Sequence, residues 1–319
     1  MPTDFRATDI KDLPAIQRLL QSAFHTGADS PNLDSALLKW KYYDAGLDWE
    51  GSRSYALEKD GAMLAHGSLW PLKIGDVRAA NLLDWAAVRF PPGMGVALVR
   101  KIAEISPVLI STGGSKATRA IMPRIGFRPA AHQNIYVRVL RPWKQLRTRP
   151  AEPLTRALAR LARNYAWSVG STVPLRQWSA ERAASLPNPA ANHLLRCPSA
   201  AVSGWTLKHP GGRSGYFVLS RVGGQCRVAR IRTTDLQAGY ALAVQAALED
   251  PESCELVALS SNGDANRALE ANHFHYREQR PVFVHDPQHL IPHESFPLDL
   301  DMLDDDLAYL NTPEYPYFT

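Results

Sequence analysis

Asp84 is the lone charge within NLLDWAAV (81–88), an otherwise apolar run. A carboxylate among apolar neighbours loses hydration, which raises its pKa and makes it costly to keep unless it is paired or does chemistry. A proton acceptor of raised pKa suits removal of a proton from an ammonium group. Asp84 is therefore the first candidate for a general base, with a hydrogen-bonded structural aspartate as the competing reading. His66, in SYALEKDGAMLAHGSLW (54–70), is the second candidate, although half-buried histidines more often serve packing. Just beyond the Asp84 run, Pro91-Pro92-Gly93-Met94-Gly95 breaks the chain and VALVRKIAEI (96–105) starts a helix at once. A helix start offers unpaired N–H groups and the positive end of the helix dipole, a geometry that holds phosphate. Gly93 and Gly95 let backbone come close to an anion. The same residues also suit an ordinary strand-to-helix turn, so the loop takes its meaning from the elements around it.

Other groupings carry less. His285, His289 and His293 recur every four residues, but Pro287 and Pro292 break any helix that would align them, so no metal site is expected. Ser111 and Ser115 have no nearby histidine partner, and no Gly-x-Ser-x-Gly motif occurs.

The elements that must position these residues follow from periodicity. A short strand is expected at Asp4–Thr8. A helix follows it, with Asp9 or Asp12 as cap, Pro14 in the first turn, and Leu13, Ile16, Leu20 and Phe24 on one face. A second helix spans Leu33–Tyr43. Residues 52–70 read as a hairpin turning at Lys59-Asp60-Gly61. Then come a strand at Asn81–Arg89, the glycine loop and its helix, a strand at Pro107–Ser111, a helix at 115–126 and a closing strand at 127–140. Residues 141–190 are basic and proline-bearing. Their helix, PLTRALARLARNYAW (153–167), has Leu154, Leu158, Leu161 and Tyr165 on one face and Arg156, Arg160 and Arg163 on the other, which implies an exposed arginine back.

From about residue 191 the first pattern recurs. SALLKWKYYDAG (35–46) aligns with AAVSGWTLKHPG (200–211), matching Trp40 to Trp205 on helical faces. SYALEKDG (54–61) aligns with GYFVLSRVGG (215–224), and SKATRAIMPRIGF (115–127) with GDANRALEANHF (263–274). The offset shrinks after the hairpin, which implies that the second copy lacks the third and fourth strands and the glycine loop. The result is a degenerate tandem repeat. The tail from Ile291 is acidic, with Glu294, Asp299, Asp301, Asp304, Asp305 and Asp306 before an aromatic EYPYF, and reads as a solvated strap over a domain.

Composition agrees with two globular domains. The chain has 319 residues, 45% apolar and 21% charged, with 24 Pro and 20 Gly scattered through it, which excludes disordered, fibrous and low-complexity classes. The net charge of +5 argues for neither DNA nor a membrane. Three widely spaced cysteines, Cys197, Cys226 and Cys254, argue against a disulfide framework or a zinc pattern. The start, MPTDFRATDI, carries no signal pattern, and no apolar run approaches about 18 residues, so a cytoplasmic protein is expected.

The order of elements, with DWAAVRFPPGMGVALV (84–99) and KATRAIMPRIGF (116–127), resembles the GCN5-related N-acetyltransferase (GNAT) family, in its tandem form. The resemblance covers about 130 residues of the first half well and about 90 of the second poorly. It implies an α+β chain of two acyl-CoA N-acyltransferase folds, the second degenerate, each a mixed, mostly antiparallel sheet flanked by helices. The expected domains are 1–140 with the glycine loop, a basic linker at 141–190, the degenerate copy at 191–290 and the strap at 291–319.

Family motif A has a basic or amide residue where Phe90 stands here, and a longer connection. By resemblance, Ala86, Ala87 and Val88 would bond the pantetheine of acetyl-CoA or another acyl-CoA. Gly93, Met94, Gly95 and Val96 would cradle its pyrophosphate, and an N–H near Val88 would meet the oxyanion. The amine would attack the thioester directly, with Asp84 or His66 as base. The family's tyrosine acid falls at Met122 here and at Leu269 in the second copy. The acceptor implied is a small amine or amino sugar, in a groove between Asp84 and the second domain, with one acyl-CoA per chain. Two other readings stay open. One is an aminoacyl transferase of the FemABX kind using aminoacyl-tRNA; the other is a non-catalytic binding or scaffold protein. DNA is not an expected partner; Arg156, Arg160 and Arg163 would allow contact with a membrane surface or an anionic polymer.

Overall fold

The computed structural model describes residues 3–147, 153–291 and 298–310. The chain is mixed α+β and divides into two compact units, Met1–Ala131 with Pro281–Phe296 and His132–Arg280 with Pro297–Thr319. Among the described residues no helix is long and apolar enough to cross a membrane.

Unit 1 runs β1 (Asp4–Ala7), α1 (Leu13–Phe24), α2 (Ser35–Tyr42), β2 (Ser54–Lys59), β3 (Ala62–Ile74), β4 (Val77–Ala87), α3 (Met94–Ile102), β5 (Leu109–Thr112) and α4 (Lys116–Ile121). Asp9 and Asp12 form a reciprocal capping box just before α1, whose Ile16, Leu19 and Leu20 are buried. Asp34 caps α2 by accepting from the amides of Ala36 and Leu37. Asp60 and Gly61 both take positive φ, 51° and 76°, as a two-residue hairpin turn requires. The sheet is ordered β1-β2-β3-β4-β5, and Val282–His285 pair beyond β5. β4 and β5 are parallel and paired only at Ala80 with Leu109 and Asn81 with Ile110. Leu57, Leu69, Leu82, Leu98, Ile102, Leu109 and Phe127 form the core under α3.

Unit 2 contains most of β6 (Arg128–Val139), then α5 (Pro142–Arg147), α6 (Leu154–Ser168), β7 (Ser179–Ala183), α7 (Pro189–Leu194), β8 (Ala201–Lys208), β9 (Ser214–Val222), β10 (Gln225–Thr233), α8 (Leu236–Glu249), β11 (Glu255–Ser260), α9 (Gly263–Ala271) and much of β12 (His275–His285). Its sheet is ordered β7-β8-β9-β10-β11-β6, with β10 and β11 parallel. Strand for strand this repeats unit 1, except that the closing strands are exchanged. β6, which follows α4, pairs with β11, whereas the end of β12, which follows α9, pairs with β5. The sequence assigns each closing strand to its own copy. Either arrangement satisfies the same backbone bonds, which is the condition for such an exchange.

The repeat is also more complete than the sequence alignment implies. Trp205 lies on strand β8 whereas Trp40 lies on helix α2, so that match paired unlike elements; both indoles are buried. β9 and β10 are the counterparts of β3 and β4, so no strand is missing. What unit 2 lacks is an equivalent of α1, since only residues 184–188 separate β7 from α7. The acidic tail covers β9 and β10 in its place. Arg230 pairs with Asp301 at 2.7 Å and Asp304 at 2.5 Å, Ser220 donates to the Ala308 carbonyl, and Leu300, Met302, Leu303 and Tyr309 are buried. Asp301 is thus buried rather than solvated, because Arg230 receives it, and Asp305 is buried as well, accepting from the Asp306 amide. Glu294 and EYPYF lie outside the described residues.

α6 leaves much of its apolar face exposed, contrary to expectation, although Arg156 on the arginine face is exposed as expected. Leu154, Leu158 and Tyr165 are 73%, 55% and 57% exposed. Asn164 is buried against Gln145, and Arg163 lies 5.0 Å from the Trp167 ring, which stacks on His275 at 4.6 Å. The inward polar face has a cause. Gln145 also donates to the fully buried carboxylate of Glu255, and a buried charge must be hydrogen-bonded.

Candidate functional site

The β3–β4 ladder slips one residue at Gly67, which is opposed by both Asp84 and Trp85. Asp84 takes φ 49°, so this is a bulge that re-aims its side chain. The carboxylate meets Lys41 Nζ at 2.6 Å and accepts from the Tyr42 hydroxyl at 2.6 Å, while Ser68 Oγ stands 3.5 Å away. Burial alone would raise its pKa. The charge of Lys41, with the hydrogen bonds from Lys41 and Tyr42, outweighs burial and holds Asp84 below the usual carboxylate range. The raised pKa expected from the apolar surroundings is therefore reversed.

Lys41, Tyr42 and Arg53 carry no sequence signal. Lys41 and Tyr42 sit in the last turn of α2, and the buried Arg53 fixes that end. Its guanidinium donates to the carbonyls of Trp40, Lys41 and Asp44 at 2.8–3.0 Å. A cation among the last carbonyls of a helix is favoured by both hydrogen bonding and the dipole.

His66 is fully buried behind the bulge. Its Nε2 lies 2.8 Å from Ser54 Oγ, to which Thr8 donates at 2.6 Å, and its Nδ1 lies 3.3 Å from the Asp84 carbonyl. A carbonyl only accepts, so Nδ1 carries the hydrogen and Nε2 accepts from Ser54. Burial lowers the pKa of His66 to about 4, and the attraction of Asp84 offsets only part of that. The sign of the stability effect follows. Between pH 6.5 and about 4 the unfolded chain binds a proton that the folded one refuses, so stability falls as pH falls through that window. The loss by pH 4 is about 3 kcal/mol. Urea unfolding of wild type and His66→Gln across this range checks it; equal acid sensitivity in the two would contradict it.

Among the loop residues, Gly93 has φ 85° and space beyond its Cβ position, and no side chain caps α3. Met94, Gly95 and Val96 form the first turn of α3, so their amides have no partner within the helix. Gly95 is required for a reason other than an approaching anion. A Cβ there would meet the Trp85 indole at 3.0 Å and Ala87 at 3.3 Å, and the indole donates to the Gly95 carbonyl. The Val88 amide bonds to Leu64, so it is committed to the sheet rather than to an oxyanion. Strand alternation then turns the Ala87 amide to the opposite edge, where β4 runs on unpaired past Asn81. Phe90, beside the loop, is 83% exposed.

Unit 2 has the same bulge without the same chemistry. Its β10 bulges at Ala229, and Asp235 caps α8 by accepting from the Ala238 amide. Met122 and Leu269, at the positions of the family's tyrosine acid, are buried in the two cores. Among the described residues no group of His, Cys, Asp and Glu is placed to hold a metal ion. His285 packs on Phe127, and His293 lies outside the described residues.

No family model matches the sequence, and no curated protein matches it significantly. Solved structures do match the fold. A tandem GNAT protein from the clavulanic acid biosynthesis pathway aligns with TM-score 0.54 and 12% identity, over 89% of this chain and 98% of that one. A GCN5-related N-acetyltransferase from Anabaena variabilis aligns with TM-score 0.53 and 10% identity, over 89% and 72%. N-myristoyltransferase of Saccharomyces cerevisiae, solved with myristoyl-CoA, aligns with TM-score 0.52 and 13% identity, over 90% and 84%. The chain has the GNAT fold, and these structural neighbours are acyltransferases.

Proposed function

We propose that this protein is an acyl-CoA-dependent N-acyltransferase whose working half is unit 1, acting on a small amine or amino sugar. One observation carries the reading. Two parallel strands, β4 and β5, pair at only two positions, and β4 leads directly into a helix start that no side chain caps. Open strand edge next to unpaired helix amides suits a ligand that is amide-bearing at one end and pyrophosphate-bearing at the other. In this reading Ala86, Ala87 and Val88 line the pantetheine arm, with the Ala87 amide as donor. The amides of Met94, Gly95 and Val96 receive the pyrophosphate, and Gly93 leaves them uncovered. The open space beside Gly93 is what such a ligand requires.

Acyl-CoA supplies an activated thioester. The protein's residues bind and orient it and manage protons. The acceptor's ammonium group first gives one proton to water, which frees the lone pair that attacks, and Asp84, held as a carboxylate by Lys41, takes the second from nitrogen as the C–N bond forms and the C–S bond breaks. Its low proton affinity passes that proton on to water. His66 stays neutral and holds the carbonyl of the bulge, which sets where the carboxylate points. With Met122 in the tyrosine position, the departing thiolate takes its proton from solvent. The test is release of free thiol from acetyl-CoA across a panel of amines and amino sugars. Amine-dependent release supports the reading; acyl-CoA binding without release under any acceptor would favour a binding protein.

A further inference from the structure

We propose that Lys116 and Arg119 of α4 bind the 3′-phosphate of CoA, so that unit 1 distinguishes CoA from its 3′-dephospho form. The inference rests on the acyl-CoA reading above and adds a contact for the nucleotide end of the donor. β4 and β5 are parallel, so their carboxyl ends, and the helices that follow each, start from one edge of the sheet. α3 follows β4 on one side of the opening, and α4 follows β5 on the other. A spacing of three puts Lys116 and Arg119 on one side of α4. Both are exposed, and neither forms an ion pair among the described residues. The first turn of α4 is capped by Ser115, whose Oγ accepts from the Thr118 amide, so side-chain charge rather than a free helix end is what this side offers.

The charge pattern singles out the same region. Residues 1–84 hold nine Lys and Arg against twelve Asp and Glu, whereas residues 85–131 hold seven against one. That one, Glu104, is bound by Lys101 at 3.0 Å. A surface of one sign attracts a ligand of the other. Unit 2 gives the contrast within the same fold. There Asp235 caps α8 and Asp264 stands in the first turn of α9, the helices that correspond to α3 and α4. In the reading above the pyrophosphate takes the backbone amides of Met94, Gly95 and Val96, on the β4 side. The cations on the β5 side are left for the further phosphate that CoA carries on its ribose. A phosphate monoester holds about two negative charges at neutral pH, which suits an adjacent Lys and Arg.

The test is calorimetric titration of the full chain with CoA and with 3′-dephospho-CoA, in the wild type and in Lys116→Ala/Arg119→Ala. The wild type should bind CoA at least about fivefold more tightly, the worth of two exposed ion pairs, and high salt should shrink that preference. The variant should bind both forms alike, within about twofold of the wild-type affinity for the dephospho form. Its melting temperature should hold, because both side chains are exposed. Equal affinity of the wild type for the two forms would overturn the inference and leave the acyl-CoA reading standing. A variant that keeps the preference would also overturn it, since the 3′-phosphate would then lie elsewhere. Binding of neither form by the wild type would remove the acyl-CoA reading itself, and the inference with it.

Discussion

Gly93→Asp should lower acyl-CoA affinity by at least about a hundredfold, equivalent to about 2.7 kcal/mol. The substitution sets a carboxylate at the start of α3, as Asp235 does at the start of α8, although Gly93 is left-handed and Asp235 extended. An aspartate there sets a negative charge against the pyrophosphate. Two like charges about 4 Å apart near a protein surface repel by about 4 kcal/mol. The side chain has room, since a Cβ at Gly93 meets nothing within 4 Å, and aspartate tolerates a positive φ better than most residues. Thermal stability should fall by about 1 kcal/mol, because a side chain at φ 85° is strained. Isothermal titration and a melting curve on the same sample separate the two effects. Unchanged affinity would remove the helix start from the binding site. Gly95 variants are a poorer probe, because a side chain there collides with Trp85 and Ala87 whether or not a ligand binds.

Asp84→Asn should reduce turnover by about a hundredfold or more at neutral pH and leave acyl-CoA affinity nearly unchanged. Turnover is compared per folded molecule, because the buried Lys41 loses the carboxylate that faces it at 2.6 Å, a loss of order 3 kcal/mol. The pH profile carries the stronger statement. In the wild-type protein Lys41 holds Asp84 below the usual carboxylate range, so no acid limb due to Asp84 should appear above about pH 4. In Lys41→Met the burial remains and the attracting charge is gone. The pKa of Asp84 then rises, and an acid limb should move toward neutrality in kcat/KM. A Lys41→Met profile that overlays the wild type would show that the carboxylate does not govern the rate. Retained turnover in Asp84→Asn would make the aspartate a structural anchor for α2.

Asp84 and the glycine loop are legible in sequence because each announces itself locally, as a charge in an apolar strand and as glycines between a strand and a helix. Lys41, Tyr42 and Arg53 are not, because their meaning arises only when α2 is laid on β4, some 40 residues further along the chain. The same blindness reversed the sign of the Asp84 shift. Burial can be inferred from neighbours in sequence, but an opposing charge delivered by tertiary packing cannot. Element order in unit 1 was readable because periodicity and turn residues agree there. In unit 2, matching Trp40 to Trp205 set a helix against a strand, since both segments are apolar enough to bury and residue identity says nothing of period. An amphipathic pattern, as in α6, defines two faces but not which one turns inward; the buried Glu255, over 90 residues away, decides that. The exchange of β6 and β12 leaves no trace in either strand, because the backbone bonds are the same in both arrangements.

The central claim is that one acyl-CoA binds, in unit 1, at the β4–β5 opening and the start of α3. Calorimetric titration of the intact chain with acetyl-CoA tests it most directly. One site per chain in the wild type and none in Gly93→Asp is the expected result. Two sites, or one site that survives Gly93→Asp with unchanged affinity, would place acyl-CoA elsewhere and contradict the claim.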